Sequence, residues 1–458
     1  MEQVRHPLFL LTLPLAAVFS LTYLTVAKAQ ITPDNSLGAE NSVVTPNVEI
    51  KGIPSDRIDG GATRGANLFH SFQEFNINAG RGAYFSNPAG IANILTRVTG
   101  GNVSNIQGVL GVLGKANLFL INPNGILFGP NARLDVGGSF LGSTANSLIF
   151  KNNFEFSATN PQAPPLLTIN VPIGLGFRNN PGNITNQSNQ PTIVDNSGNP
   201  IGLTVPSGNS LALVGGDINS DDGRITVPGG RVELGGLAGA GTVGLDVSGN
   251  TFKLNFPNDS LLSNITLAND ARVAVRGNGG GDIVVNANTF TATNGGRLTA
   301  GTEGVGNAGD ITVNVNNFNI SGIGLSQTES GVYNQTIDGA SGNAGNIFIN
   351  SKSFNASSNA VVRSRVLAGS QGDGGNINIT TGSFSLTDGA LLSASTYGEG
   401  NAGNVSVRAN DSVSLVNANI FSTVEAGGEG KGGNIDIKAA TLSLKDGAQL
   451  RTLVSEAS

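Results

Sequence analysis

The sequence contains no cysteine and no tryptophan, and charged residues make up only 12% of its 458 residues. The missing cysteines exclude a fold held by disulfides. The formal charge of −6 is small and thinly spread, which argues against a nucleic acid partner, because phosphate binding needs clustered Lys and Arg. Histidine occurs only twice, which argues against a metal site or a catalytic triad that uses histidine.

Glycine is abundant instead, with 66 residues, which is about twice the usual share. The apolar residues form short runs that are rich in leucine and β-branched residues and are bounded by Gly, Asn and Asp. Such punctuation predicts strands rather than helices. The apolar content is sufficient for a core, so we do not expect a disordered chain.

The N-terminus predicts a secretory signal peptide over residues 1–29. Arg5 supplies positive charge, residues 8–26 are largely apolar, and Ala27-Lys28-Ala29 is a small-x-small cleavage site that leaves Gln30 at the mature N-terminus. A membrane anchor is the alternative, but Pro14 and the cleavage site favour removal. No later segment is long and apolar enough to span a bilayer, so we expect an exported protein.

Export makes the absence of cysteine informative, since exported proteins can normally form disulfides. Either the chain crosses a second membrane unfolded, where a disulfide would block it, or a repetitive fold needs no such links. The sequence is compatible with both explanations.

A repeat dominates the chain from about residue 277. A glycine-rich corner, then Asn or Asp, then Ile or Val recurs at intervals of 28, 36, 30, 28 and 30 residues. Short alternating strands follow each anchor, so that about three strands occupy each period, and this predicts one solenoid coil per repeat. The anchors are Gly281-Asp282-Ile283, Gly309-Asp310-Ile311, Gly345-Asn346-Ile347, Gly375-Asn376-Ile377, Gly403-Asn404-Val405 and Gly433-Asn434-Ile435.

We therefore predict an all-β, right-handed parallel β-helix, with extra-helical hairpins and loops in the N-terminal half. A propeller needs about 40 or more residues per blade, and calcium-binding nonapeptide repeats need a nine-residue spacing that this chain lacks. The anchor asparagines are expected to face inward and to form an amide ladder from coil to coil. The 36-residue period predicts a protruding loop around residues 328–341. The chain reaches Ser458 without a recognisable polar cap, which predicts an adhesive edge that a longer product or another molecule covers.

The most informative short segment is Asn122-Pro123-Asn124-Gly125-Ile126, between the apolar runs 116–121 and 126–128. Asn, Pro, Asn and Gly suit the four successive positions of a type I turn. The residue types alone therefore predict a tight corner between two buried strands.

The wording of this corner resembles the signature of two-partner secretion domains, the N-terminal domains of filamentous-haemagglutinin-like exoproteins. Further segments of the same resemblance follow in order over residues 30–245. They are Ile31-Thr32-Pro33-Asp34, residues 65–77, Asn102-Val103-Ser104-Asn105-Ile106-Gln107-Gly108, residues 137–145, residues 211–217 and residues 229–235. The family also has an earlier Asn-Pro-Asn-Leu motif. Its only counterpart here is Asn87-Pro88-Ala89-Gly90, which keeps residues that favour a turn but differs from the motif at its last two positions.

The chain is therefore expected to have three parts: the signal peptide over residues 1–29, a secretion domain over 30–245 that the resemblance implies, and β-helical repeats of about 28–36 residues over 246–458 that the spacing predicts. The resemblance also implies passage through the periplasm, recognition by the periplasmic domains of an outer-membrane β-barrel transporter, and release to the cell surface or medium of a Gram-negative cell. Recognition is assigned to Asn122, Pro123, Asn124, Gly125 and Ile126, and more weakly to Asn87 and Pro88. The repeats would form a surface adhesin or structural shaft that meets a host, cell-surface or matrix receptor.

Three other motifs can be interpreted as catalytic or cofactor-binding sites, but the residues around them do not support this. We therefore predict no catalytic residue, no metal site and no cofactor. Gly239–Gly244 matches a dinucleotide fingerprint by letter, but a strand pattern follows where a helix is required. Asp221-Asp222-Gly223 suits a turn better than acid–base chemistry. His70 lies in an apolar strand pattern, which indicates a structural place. Residues 161–210 are expected to be loops and hairpins outside the coils, or a disordered linker.

Two other functions stay open. Parallel β-helices occur among polysaccharide lyases and hydrolases, which use paired carboxylates or Lys and Arg on one exposed face. The charged residues of this sequence are too sparse and scattered to indicate such a cluster. A surface-layer or matrix scaffold without a specific receptor is the third reading.

Overall fold

The structure is a computed structural model that describes residues 30–161, 167–190, 198, 201–337 and 339–455. The predicted signal peptide, including the cleavage residues Ala27 and Ala29, lies outside the described residues. Among the described residues, no helix combines the length and the apolar character that a membrane crossing requires.

The regular structure of these residues is almost entirely β: forty strands and two short 3₁₀ turns, Gly38–Glu40 and Lys151–Asn153. The strands up to residue 190 are β1 Ile31–Pro33, β2 Ser42–Ile50, β3 Ile53–Gly60, β4 Ala62–Arg64, β5 Asn67–Phe75, β6 Gly82–Ser86, β7 Asn93–Val98, β8 Ser104–Ile106, β9 Val109–Leu113, β10 Asn117–Ile121, β11 Ile126–Phe128, β12 Arg133–Asp135, β13 Phe140–Ser143, β14 Ser147–Ile149, β15 Glu155–Ser157, β16 Gly174–Phe177 and β17 Ile184–Asn186. Strands from residue 201 to 274 are β18 Leu203–Thr204, β19 Ser210–Gly215, β20 Ile218–Asp221, β21 Arg224–Thr226, β22 Arg231–Gly236, β23 Gly241–Ser248, β24 Thr251–Asn255, β25 Ile265–Ala268 and β26 Arg272–Ala274. The remaining strands are β27 Asp282–Thr293, β28 Arg297–Thr302, β29 Ile311–Ser321, β30 Gly331–Thr336, β31 Ile347–Asn350, β32 Ser353–Ser357, β33 Val361–Val366, β34 Ile377–Thr387, β35 Leu391–Ser393, β36 Val405–Val416, β37 Asn419–Phe421, β38 Ile435–Lys438, β39 Thr441–Lys445 and β40 Gln449–Arg451.

Successive coils pair in parallel along the molecule, which confirms the predicted parallel β-helix. A 21-stranded sheet runs the length of the stack, a five-stranded sheet of β2, β3, β6, β9 and β12 forms a second face near the N-terminal end, and a nine-stranded sheet from β18 to β40 forms a second face further on. One continuous core of buried apolar side chains fills the interior from Ile31 to Ile420.

The repeat anchors lie directly opposite one another in the 21-stranded sheet. Ile283 pairs with Ile311, Ile311 with Ile347, Ile347 with Ile377, Ile377 with Val405, and Val405 with Ile435. The spacing read from the sequence is therefore the coil length. In several coils the first two predicted strands join into one long strand, as in β27, β29, β34 and β36.

Phenylalanines from four successive coils form a stack inside this sheet. Phe290, Phe318, Phe354 and Phe384 are paired in register, and their ring centroids are 5.6, 4.8 and 4.6 Å apart with interplanar angles of 14–24°. Aromatic contacts of this kind add to the area that each ring buries. We call this set the phenylalanine ladder.

An antiparallel sheet of β14, β15, β16, β23 and β24 covers one outer face of the coils. Its apolar side chains form a second core with the outward-facing residues of β5, β7, β10, β13 and β19. This explains why β10 is apolar at every position but its first: Leu118 and Leu120 point into the coil, whereas Phe119 and Ile121 point into the second core. A strand covered on both faces loses the usual alternation.

The N-terminal coil is closed by β1 and β4, which both pair antiparallel with β5. Arg97 is buried behind this edge, with 1% of its surface exposed. Its guanidinium donates to Ser71 Oγ at 2.9 Å, Ser36 Oγ at 2.7 Å and the Ser157 carbonyl at 2.7 Å, and it lies 4.2 Å from the centroid of the Phe156 ring. Arg97 thereby joins the first strands to the covering sheet.

Two loop predictions are wrong in part. Gly331–Thr336, placed in the loop predicted around residues 328–341, is the buried strand β30, which pairs with β28 and β33. The longest period protrudes just before it, where Leu325 is 93% exposed. Within residues 161–210, β16 lies outside the coils as expected, but β17 and β18 are coil strands in parallel pairing.

The amide ladder at the anchors is present, but it lies on the outside. Asn376 Nδ2 donates to Asn346 Oδ1 at 3.2 Å and Asn404 Nδ2 to Asn376 Oδ1 at 3.0 Å, and the backbone N–H of Asn434 donates to Asn404 Oδ1 at 2.9 Å. Asn404 and Asn434 are exposed. The inward prediction is wrong because the next residue along, Ile or Val, takes the inward position in each coil.

Candidate functional site

The Asn122–Ile126 segment forms the predicted tight corner between β10 and β11. The Gly125 amide donates to the Asn122 carbonyl at 3.1 Å, which closes the turn, and Gly125 has a φ of 128°. The following coil packs against the corner at Gly182, where a Cβ would lie 2.4 Å from the Asn124 backbone. Only glycine fits there.

The Asn122 side chain holds the corner from inside. It is fully buried, and its Nδ2 donates to the Asn102 carbonyl at 3.0 Å and to Ser104 Oγ at 2.9 Å in the preceding coil. Its Oδ1 accepts the Asn124 amide at 3.0 Å. One side chain thus fixes the turn and its contact with the neighbouring coil.

Only two residues of the corner, Pro123 and Asn124, are accessible to solvent. Asn122, Gly125 and Ile126 are buried, Pro123 is half-buried and Asn124 is exposed. Asn124 Nδ2 donates to the Gly100 carbonyl at 2.7 Å. In the folded protein, a partner can therefore contact Pro123 and Asn124 but not the Asn122 side chain.

The second corner, at Asn87 and Pro88, is also tied to a neighbouring coil by its asparagine, but its turn begins one residue later, at Pro88. Asn87 Nδ2 donates to the Ile91 carbonyl at 3.1 Å, and its Oδ1 accepts the Ala116 amide at 3.0 Å. The Ile91 amide donates to the Pro88 carbonyl at 3.2 Å. Pro88 is exposed and Asn87 is half-buried.

Comparison with known proteins places these corners in a family. The model of the TPS (two-partner secretion) secretion domain matches residues 29–285, more than half of the chain. The chain belongs to the TPS secretion domain family. Both corners and the covering sheet lie within the matched residues.

Two solved secretion domains resemble this TPS chain. The HMW1 secretion domain from Haemophilus influenzae is 20% identical with a TM-score of 0.50, and the match covers 91% of this chain and 98% of that one. At this identity the likeness shows the fold alone. The filamentous hemagglutinin secretion domain is 15% identical with a TM-score of 0.32, covering 79% of this chain and 99% of that one.

A relative identified by sequence is the heme/hemopexin-binding protein of Haemophilus influenzae. It is 38% identical over 69 residues, which is 15% of this TPS chain. The match spans only 7% of that protein's length.

His70 is a core residue of the TPS domain, as its sequence context indicates. It is fully buried; Nδ1 is 2.9 Å from Ser42 Oγ, and the ring packs 5.1 Å from the Phe85 centroid. Among the described residues, Nδ1 faces a hydroxyl rather than a carboxylate, and Nε2 has no hydrogen-bond partner, so the carboxylate–imidazole bond of a catalytic triad is not formed there. Burial lowers the pKa of His70 to about 3, and the Asp59 charge opposes this only partly.

The depressed pKa of His70 predicts a pH-dependent stability. The folded state disfavours protonation while the unfolded chain protonates near pH 6.5, so stability present above pH 6.5 is lost as the pH falls toward 3. The loss is about 1.4 kcal/mol per pH unit. We expect the urea midpoint, followed by circular dichroism from pH 7.5 to 4.5, to fall more in the wild type than in His70→Gln.

Glu233 titrates in the same window with the opposite sign, because burial raises its pKa to about 7. Its contribution is common to the wild type and His70→Gln, so the difference between them isolates His70. Equal pH slopes for the two proteins would refute the assignment.

The remaining candidate motifs of the TPS chain are structural. Gly241–Ser248, which begins within the letter match to a dinucleotide fingerprint, is a strand of the covering sheet rather than the start of a helix. Asp222 adopts a positive φ of 52° at a corner, and it pairs with Arg224 at 3.3 Å. Among the described residues, no group of three or more His, Asp or Glu could hold a metal ion.

The structure reveals one cluster that the sequence hides. Arginines from separate coils meet on the outer face of the nine-stranded sheet, where Arg224 lies opposite Arg272 and Arg272 opposite Arg297. Arg276, Arg363 and Arg365 line the same surface. These residues are up to 141 positions apart in sequence. Arg224, Arg272 and Arg297 hold equal positions in successive coils, which the spacing could have indicated, but Arg363 and Arg365 lie at other positions of their coil.

Proposed function

We propose that this chain is a secreted exoprotein whose N-terminal part targets it to a cognate outer-membrane β-barrel transporter. The observation that carries the proposal is the TPS family match over residues 29–285. TPS exoproteins are secreted across the outer membrane, and the proposed route is a signal peptide ending at Ala29, the periplasm, and then the transporter. The proposed division at residue 245 falls inside β23 of the covering sheet. The stack of coils continues across it, because β22 pairs with β27.

The corner at Asn122–Ile126 is the proposed recognition element, with Asn87 and Pro88 as a weaker second. Two physical routes to recognition exist. The periplasmic domains of the transporter read the unfolded segment as an added strand, or they contact Pro123 and Asn124 on a formed coil. The buried state of Asn122 supports a direct contact through Asn124 rather than Asn122 once the coil has formed.

The parallel stack supports the proposal that the chain folds outside the cell. Every coil strand takes its hydrogen bonds from the coil before and the coil after, so the structure grows by addition to an existing end. Emerging coils that fold cannot slide back through the transporter, which provides a direction for export. We propose that the repeats then form a surface adhesin or structural shaft, supported by the continuous core and the phenylalanine ladder, with a host, cell-surface or matrix receptor as partner.

The route is tested by dependence on the transporter. The full-length gene is expressed in a Gram-negative host with the transporter encoded beside it, or with that transporter inactivated, and medium and periplasm are compared by immunoblot. We expect the protein in the medium only when the transporter is active. Equal amounts in the medium with and without it would refute the proposal.

A carbohydrate-active function of the polysaccharide lyase kind is the alternative, and the arginine cluster is the observation that favours it. Against turnover, burial and the Glu329 charge raise the pKa of Tyr333 beside that cluster, so the phenol stays protonated at neutral pH and is poorly suited to act as a base. We therefore propose that the chain is not an enzyme. Shortening of an acidic polysaccharide by the purified protein would overturn this.

A further inference from the structure

The arginine cluster lies in a groove on the outer face of the nine-stranded sheet. One cavity of about 260 Å³ is lined by Arg272, Arg276, Arg297, Thr299, Thr328, Glu329, Tyr333, Gln335, Arg363 and Arg365. Arg272 and Arg276 also line an adjoining cavity of about 440 Å³. We call the smaller cavity the arginine groove.

Arginines crowd one another in the groove. Among the described residues, five of them line it together with one carboxylate, Glu329, which pairs with Arg363 at 3.1 Å. Asp270 approaches Arg297 at 3.7 Å. Burial, followed by the charges of Arg272 and Arg224, lowers the pKa of Arg297 to about 10, so it remains a cation at neutral pH while being repelled by its neighbours.

Buried hydrogen-bond donors also face this groove without a partner. Gln335 is 5% exposed; its Oε1 accepts from Arg276 at 2.9 Å, but its Nε2 makes no hydrogen bond among the described residues. The same is true of Thr299 Oγ1 and of Arg365 Nε. A buried donor without a partner is costly, so the wall of the groove holds unused hydrogen-bonding groups that side-chain rotation can present to a ligand oxygen.

The geometry suits an extended ligand that carries several anionic groups. Arg272 and Arg276 lie on one coil, Arg297 on the next, and Arg363 and Arg365 two coils further on, so at about 4.8 Å per coil the groove arginines span about 14 Å. Guanidinium groups bind carboxylates and oxyanions of similar shape through paired hydrogen bonds. A cavity of about 260 Å³ does not admit a nucleic acid duplex, which is wider than its own major groove of about 12 Å.

We propose that the arginine groove binds the carboxylate or sulfate groups of an extended acidic polysaccharide. This goes beyond secretion, since it assigns the repeats a ligand class that the transporter does not share. Tyr333 and Tyr397 support the site by packing under Arg363 and Arg365, at 6.0 and 5.7 Å from the guanidinium carbons to the ring centroids.

The test uses the full secreted protein in a titration with heparin, polygalacturonate, neutral dextran and a short DNA duplex. We expect binding to heparin or polygalacturonate, weakened by salt, and none to dextran. The comparison of heparin with polygalacturonate identifies sulfate or carboxylate as the preferred group. Tighter binding to DNA than to either polysaccharide would overturn the proposal, as would equal binding to dextran.

Variants locate the site. Arg363→Gln combined with Arg365→Gln should weaken polysaccharide binding at least about tenfold, which is 1.4 kcal/mol. The matched control is Arg57→Gln combined with Arg408→Gln, which removes the same charge from exposed ion pairs elsewhere and should stay within about twofold of the wild type.

Gln335→Glu separates binding from folding. The isosteric carboxylate would pair with the groove arginines, so the unfolding midpoint should hold or rise while polysaccharide binding is lost. If Gln335→Glu and the double groove variant both bind as well as the control, the groove is not the site.

Discussion

Asn122→Ala is expected to leave most of the protein in the periplasm. The substitution removes the donors to the Asn102 carbonyl and Ser104 Oγ and the acceptor for the Asn124 amide, all around a fully buried side chain. Leaving such groups without partners costs about 2–3 kcal/mol. The corner lies in one of the first coils, so its loss removes the surface on which later coils assemble. Deletion of residues 122–126 should have the same or a larger effect.

Asn124→Ala is the matched comparison, because Asn124 is the exposed residue of the same corner. It loses the bond to the Gly100 carbonyl and should cost less than about 1 kcal/mol of stability. If the transporter contacts the formed corner, Asn124→Ala refolds normally in vitro but is secreted poorly. Immunoblots of periplasm and medium, together with refolding followed by circular dichroism, give both readouts.

The outcomes separate recognition from folding. Normal secretion of Asn124→Ala beside failure of Asn122→Ala means that the corner acts only through coil formation. Normal secretion of the 122–126 deletion contradicts any role of the corner in export.

Arg97→Met is expected to lower the free energy of unfolding of the N-terminal coils by about 3–5 kcal/mol. The loss strips Ser36 Oγ, Ser71 Oγ and the Ser157 carbonyl of a charged donor and removes the cation from the face of Phe156. Burial lowers the pKa of Arg97 to about 10, and the charge of Asp34 partly opposes this shift. Arg97 is therefore a cation at neutral pH. Hydrogen exchange of β1, β5 and β15 should rise first, because these strands meet at Arg97.

The control is Arg57→Met, whose exposed ion pair with Asp59 at 2.7 Å should contribute no more than about 1 kcal/mol. Urea unfolding of both variants, read by circular dichroism, makes the comparison. If Arg97→Met unfolds at the wild-type midpoint, Arg97 does not hold the N-terminal edge.

The coils could be predicted from the sequence because equivalent residues of successive repeats pair with one another. The anchor Gly-Asn-Ile of one coil lies opposite the same residues of the next, and Ile347 does pair with Ile377. The corner at Asn122 was predictable for a similar reason, since turn residues act locally.

Features made by distant segments were not predictable in the same way. The covering sheet pairs Leu148 with Leu175 and Leu175 with Val243, partners that share no local signal. The arginine groove joins residues that each look isolated in sequence. The extra length of the 36-residue period does not show where in the coil the added residues lie. They protrude near Leu325, which is 93% exposed, and Gly331–Thr336 remains a coil strand.

The phenylalanine ladder shows that the stack is built from a whole number of equivalent coils. Because Phe318, Phe354 and Phe384 occupy one position in successive coils, a whole period, such as residues 347–376, is a unit whose loss would join equivalent positions and leave both ends unchanged. The length of the stack can then change only in steps of one coil, about 4.8 Å. Gain or loss of whole periods in the gene would therefore set the distance between the first coil and the last.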